Sequence, residues 1–160
     1  MKKEVLETVS IKKFQEENKF WQEITDLIVK ILNEASLERK TAREEAGLEV
    51  NENSGGLAFL GLSGGKTPIP LYKLLQVEKR LDWSKIEVFL VDERIVPRED
   101  SRSNSRMIRE SLYGNINSSN LAYFHDFITE LEKKEAIEQY EEEWAMVPEE
   151  QLDIVVLGVG

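Results

Sequence analysis

The chain has 160 residues and no cysteine, which excludes disulfides, thiolate metal sites and a thiol nucleophile together. Its 31 acidic against 21 basic residues give a formal net charge of -10, so a broad polyanion-binding face is excluded and any anion must be held by a local device. A hydrophobic content of 41% suits a globular unit, and no apolar run reaches membrane-spanning length. We therefore expect one α/β domain over residues 1–160, a cytoplasmic location, and no nucleic-acid or membrane partner.

Residues 4–10 alternate in part and read as an edge strand. From 11 to 38, Phe20, Trp21, Ile24, Leu27, Ile28, Ile31, Leu32 and Ala35 recur every three or four positions, the period of an amphipathic helix. The stretch ERKTAREEAGLEVNENSGG (38–56) has few large apolar residues and reads as a frayed helix end and a solvated loop without chemistry. Residues 57–62 form a short apolar run, typical of a strand buried on both faces of a parallel sheet. TPIPLYKLLQ (67–76) follows as a helix with proline near its first turn. A second buried strand over 86–91 leads into the charged loop DERIVPREDSRSN (92–104). Met107, Ile108, Ser111 and Leu112 mark a helical face ending at Gly114, read as a C-cap. NLAYFHDF (120–127) is a third strand. Ala136, Ile137, Tyr140 and Trp144 give another helix, and LDIVVLGVG (152–160) gives a last buried strand entering a glycine turn.

Strands alternating with helices at this spacing predict a doubly wound, mostly parallel, Rossmann-like sheet. Ligands of such sheets bind beyond the carboxyl ends of the strands, which places the loops 63–67, 92–104 and 158–160 on one rim.

Gly64-Gly65-Lys66-Thr67 invites comparison with a nucleotide-binding phosphate loop. That motif needs a glycine five positions before Gly65, and position 60 is Leu60; Gly61 comes one residue late. Ser63-Gly64-Gly65 fits better as a tighter cradle for one phosphate before a helix. In Val91-Asp92-Glu93-Arg94, a nucleotide hydrolase would use Asp92 and Glu93 on Mg²⁺, whereas a phosphosugar enzyme would set Asp92 near the sugar and fork Arg94 onto the phosphate. An ordinary strand-to-helix turn and an ordinary loop ion pair are the plainer readings of the two stretches.

SGGKTPIPLY, then VDERIVPREDSRSNSRMIRESL, then LDIVVLGVG resemble, in order and spacing, the first two thirds of the 6-phosphogluconolactonases. The specific part is the pattern DER-x-VP-x-x-D-x-x-SN. The resemblance implies a glucosamine-6-phosphate isomerase-like fold. It also implies a lactone (carboxylic ester) hydrolase converting 6-phospho-D-glucono-1,5-lactone to 6-phosphogluconate in the pentose phosphate pathway, with a small phosphorylated sugar lactone as partner and neither metal nor organic cofactor. Ser63, Gly64, Gly65, Lys66, Thr67 and Arg94 would bind phosphate, Asp92 would line the sugar site as the candidate catalytic group, and Asn104, Gly158 and Gly160 would serve the substrate loops. Lys66 stands where the family often has serine.

In the family, the strand like LDIVVLGVG runs on into an Asp-Gly-His segment whose histidine is the general base, so the 160 residues read as the N-terminal part of a longer catalytic domain, truncated and inactive alone. His125, beside aromatic residues, is read as structural. The related glucosamine-6-phosphate deaminases, where Asp92 would move a proton between sugar carbons, and a non-catalytic sugar-phosphate-binding fragment are the alternatives. Oligomeric state is not assigned by these features.

Overall fold

The computed structural model describes residues 12–50, 56–114 and 123–158; the edge strand expected over 4–10 lies outside them. Four helices and four strands alternate after the first helix: α1 (Glu17–Glu45), β1 (Ala58–Leu62), α2 (Ile69–Gln76), β2 (Ile86–Leu90), α3 (Asn104–Ile108), β3 (Tyr123–His125), α4 (Lys133–Trp144) and β4 (Ile154–Val156). The sheet has the order β3-β2-β1-β4 and every pairing is parallel, with Leu60 opposite Val88 on one side and Ile154 on the other.

Alternation along the central strands divides the core. Ala58, Leu60, Leu62, Val88 and Leu90 pack with Ile28, Val29 and Leu32 of α1, Leu71, Tyr72 and Leu75 of α2, and Ile108 and Leu112. Phe59 and Phe89 point to the opposite face, where Tyr140 and Trp144 of α4 cover them; the Trp144 ring meets Phe89 edge-on at 5.3 Å. Both faces of β1 and β2 are covered, as a parallel sheet requires, and the expected doubly wound α/β architecture is present; β4, expected to be buried, lies at the sheet edge only partly covered, with Val155 41% exposed. Helix α4 crosses behind the sheet and carries the chain from the β3 edge to the β4 edge. The strand order therefore reverses between β1 and β4, and the crevice beyond their carboxyl ends is the switch point where such folds bind ligands.

Helix α1 does not fray after residue 38. It continues to Glu45, because the segment is rich in strong helix formers and its solvent face carries spaced charge pairs such as Lys40–Glu44. It stops in a turn where the Gly47 and Leu48 amides return to the Glu44 and Arg43 carbonyls. The buried stripe runs through Thr25, Ile28, Val29 and Leu32, which leaves Leu27, expected inside, 52% exposed.

The helical face through Met107, Ile108, Ser111 and Leu112 ends at Gly114 as expected; its last turn over Arg109–Tyr113 is a wide π-type turn, and the Gly114 cap is right-handed (φ -56, ψ -22). Among the described residues no helix is long and apolar enough to cross a membrane.

The continued α1 brings Arg39 to the amino ends of β1 and β4. Its guanidinium forks onto Asp153 at 2.7 and 2.8 Å and reaches the Leu57 carbonyl at 2.9 Å. Asp153 in turn accepts from the Phe59 amide at 2.7 Å and donates its own amide to the Phe59 carbonyl at 2.9 Å. Asp153→Ala strips a half-buried cation and a strand amide of their acceptor at once. It is expected to cost about 2–3 kcal/mol, read as a lowered urea midpoint with an unchanged slope; an unmoved midpoint contradicts this role.

Candidate active site

Three loops leave the carboxyl ends of the strands and meet. Ser63 follows β1 and is 6% exposed with every backbone group engaged: its amide donates to Val156 at 3.1 Å and its carbonyl accepts the Tyr72 hydroxyl at 2.7 Å. Burial pushes the Tyr72 phenol pKa above its ordinary value, and the Asp92 carboxylate adds to the shift, so this hydroxyl is a fixed donor. The Ser63 hydroxyl accepts the Gly158 amide at 2.9 Å and retains its own proton for a ligand. Gly158 thereby joins the site, while Gly160 lies outside the described residues.

After Ser63 the chain turns outward. Gly65 has φ +101, a conformation that disfavours a side chain. Gly64 is needed for a different reason: a Cβ there would fall 1.8 Å from Asn104 Oδ1. Lys66 and Thr67 are exposed, and the Lys66 carbonyl accepts from Ile69 at the start of α2. Among the described residues, the amides of Gly64, Gly65, Lys66 and Thr67 donate no hydrogen bond. Pro68 and Pro70 carry no amide proton, so the free donors come from this loop rather than from the first turn of α2. Four successive amides without an acceptor are the makings of an anion cradle.

The second loop is organised by a residue the sequence did not single out for this role. Glu93 accepts from the amides of Asn104 at 2.7 Å, Ser105 at 2.8 Å and Arg94 at 2.8 Å, and from the Ser103 hydroxyl at 3.0 Å. It is the anionic anchor of α3, and all its acceptor capacity is used. Activation of water by Glu93, which a nucleotide hydrolase would require, has no free oxygen to work with. The only sequence hint was Ser103, a hydroxyl at the helix start that accepts from Arg106.

Asn104, 2% exposed, connects everything. Its Nδ2 donates to the Asp92 carboxylate at 3.0 Å and to the Asp92 carbonyl at 2.9 Å, while its Oδ1 accepts from Arg94 Nη1 at 3.1 Å and abuts Gly64. The glycine turn and the guanidinium therefore touch the same oxygen.

Six of the eight arginines pair with carboxylates. Arg102, on the same loop, is neutralised by Asp100, whose carboxyl it holds down to about 2 mainly by hydrogen bonding. Among the described residues, the Arg94 guanidinium has only the Asn104 oxygen and, at 3.4 Å, the Arg102 carbonyl.

His125 does not belong to this group. It is 3% exposed at the β3 edge, stacked on Phe89 at 4.0 Å, with Nδ1 2.7 Å from Glu143 and Nε2 2.7 Å from Glu87. Both ring nitrogens are occupied, which leaves none to accept a proton from water.

Residues 17–160 match the model of the family described as glucosamine-6-phosphate isomerases/6-phosphogluconolactonase. The chain belongs to this family. It is 39% identical over 104 residues to the 6-phosphogluconolactonase of Thermotoga maritima, covering 64% of this chain and 45% of that protein. To that of Rhizobium meliloti it is 38% identical over 105 residues, covering 66% and 44%. The crystal structure of a Shewanella baltica 6-phosphogluconolactonase superposes with a TM-score of 0.68 at 27% identity, over 96% of this chain and 58% of that one. The chain spans just under half the length of the curated relatives it matches.

Two outcomes follow from the packing. Gly64→Ala forces Asn104 out of place and is expected to cost about 1–3 kcal/mol as overpacking, with a lowered melting temperature and weakened phosphate-ester binding; a variant as stable as the parent is inconsistent with the close approach. His125→Ala leaves Glu87 and Glu143 facing each other and is expected to cost about 2–4 kcal/mol in urea titration, with ligand affinity unchanged.

Proposed function

We propose that the protein hydrolyses 6-phospho-D-glucono-1,5-lactone to 6-phosphogluconate, and that residues 63–67 with Arg94 hold the phosphate. One observation carries the reading: among the described residues, an arginine without a carboxylate partner shares the Asn104 oxygen with Gly64, the first of four successive residues whose amides have no acceptor, in a chain of net charge -10. A phosphate monoester carries about two negative charges at neutral pH and three strong acceptor oxygens, which suits one guanidinium and a short run of amides. The relatives named as 6-phosphogluconolactonases support that branch of the family over the isomerases.

With the phosphate anchored, the sugar extends along the rim toward Asp92, which is exposed beside the cradle and oriented by Asn104. Anchoring a remote group converts binding energy into orientation of the ester carbonyl, the principal contribution these residues make. Water adds to the C1 carbonyl, the ring C–O bond breaks, and a carboxylate and a hydroxyl result. His125 is occupied by two carboxylates and is not the base that activates water in this reading. The Lys66 ammonium is exposed and supplies a further cation at the mouth of the cradle.

The test is steady-state hydrolysis of the lactone by the complete protein. Arg94→Ala is expected to raise KM about ten- to a hundred-fold, the loss of one charge-assisted contact, with a smaller change in kcat. Ammonia release from glucosamine 6-phosphate without acceleration of lactone hydrolysis would replace this reading with the isomerase branch. Binding of 6-phosphogluconate without turnover would make the protein a sugar-phosphate-binding module.

A further inference from the structure

Arg94 sits among acids yet pairs with no carboxylate among the described residues. Glu93 is sequestered by the α3 amides, but the Asp92 carboxylate lies on the other side of a single side chain from the guanidinium. We propose that Asn104 is a positioning residue that acts as a spacer, holding Asp92 off Arg94 so that the guanidinium remains available to an anion. The inference rests on the reading of residues 63–67 and Arg94 as the phosphate site, and deepens it.

The chemistry of the side chain makes the case. A primary amide carries donors on one arm and an acceptor on the other at fixed separation, so it can satisfy a carboxylate and a guanidinium simultaneously without neutralising either. Here the two arms are used in that sense, Nδ2 toward Asp92 and Oδ1 toward Arg94. The amide has little freedom to leave. Its backbone nitrogen is tied to Glu93 at 2.7 Å, Nδ2 is also held by the Asp92 carbonyl at 2.9 Å, and Gly64 closes the third side. Serine or threonine lacks the second arm, a carboxylate repels Asp92 and captures Arg94, and an aliphatic side chain lets the two charges collapse together. The requirement at Gly64 follows from the same device, because the spacer fills the volume a Cβ would take.

Calorimetry with 6-phosphogluconate, together with crystal structures of ligand-free variants of the complete protein, tests this. Asn104→Ala is expected to weaken binding about ten- to a hundred-fold and to bring Asp92 and Arg94 into a direct ion pair. Adding Asp92→Asn to Asn104→Ala is expected to recover most of the affinity, which a merely structural role for Asn104 does not predict. Asn104→Asp, which preserves shape and guards against collapse of the loop, is expected to weaken binding without rescue by Asp92→Asn, since the new carboxylate itself faces Arg94. The spacer role is overturned if Asp92 and Arg94 stay apart in Asn104→Ala, or if the double variant binds no better than the single one. If the ion pair forms as expected but the unmodified protein binds no phosphate ester, the spacer role holds and the reading of the phosphate site falls.

Discussion

The β1–β4 seam is the constraint on which the rest depends. Only a three-residue ladder joins the two strands, and β4 arrives there after the chain has crossed the whole back of the sheet. Short parallel pairings are weak by themselves, so the seam is fastened at both ends by side chains. Asp153 and Arg39 bind the amino end, and the Ser63 hydroxyl binds the Gly158 amide at the carboxyl end. Opening either fastening releases the crevice in which the candidate site lies.

Within that crevice, the arrangement works by consuming some polar groups so that others stay free. Glu93 is spent on the amides of α3, Asp100 on Arg102, the Tyr72 hydroxyl on the Ser63 carbonyl, and Asp126 on Arg98 and Arg109. Among the described residues, what remains without a protein partner there includes the amides of residues 64–67, the Ser63 hydroxyl proton, the Lys66 ammonium and the outer face of Arg94. These donors open to solvent at the switch point of a parallel sheet, where such folds bind ligands, and their clustering there says more about a ligand than any single motif residue does.

Much of this was legible in the sequence, for identifiable reasons. The buried strands were short apolar runs, and the glycine turn and charged loop fell at their carboxyl ends, so the rim followed from the strand order alone. Counting one residue between Gly61 and Gly65 separated the short cradle from a nucleotide loop. Three features were not legible. Arg39 lay in a charged stretch whose partner, Asp153, is 114 residues away, so nothing local distinguished it from a solvated helix end. Glu93 stood in the sequence only as a metal-holding acid of the nucleotide-hydrolase alternative, because a capping carboxylate and a reactive one are the same residue until their donors are seen. Asn104 was visible as part of a pattern, but its contact with Gly64 depends on the packing of α3 against the β1 turn, which no periodicity encodes.

The charge balance has a kinetic side. A phosphate dianion approaching this chain meets a repulsive long-range field from its net charge of -10 and an attractive one only within a few ångströms of Arg94. Added salt shortens the reach of the first over a Debye length of about 8–10 Å while scarcely touching the second. Encounter with the ligand is thus expected to quicken with ionic strength, the reverse of the usual behaviour of phosphate-binding proteins that steer with basic surfaces. Selectivity then resides in the last few ångströms of approach, where shape and hydrogen-bond direction matter more than total charge.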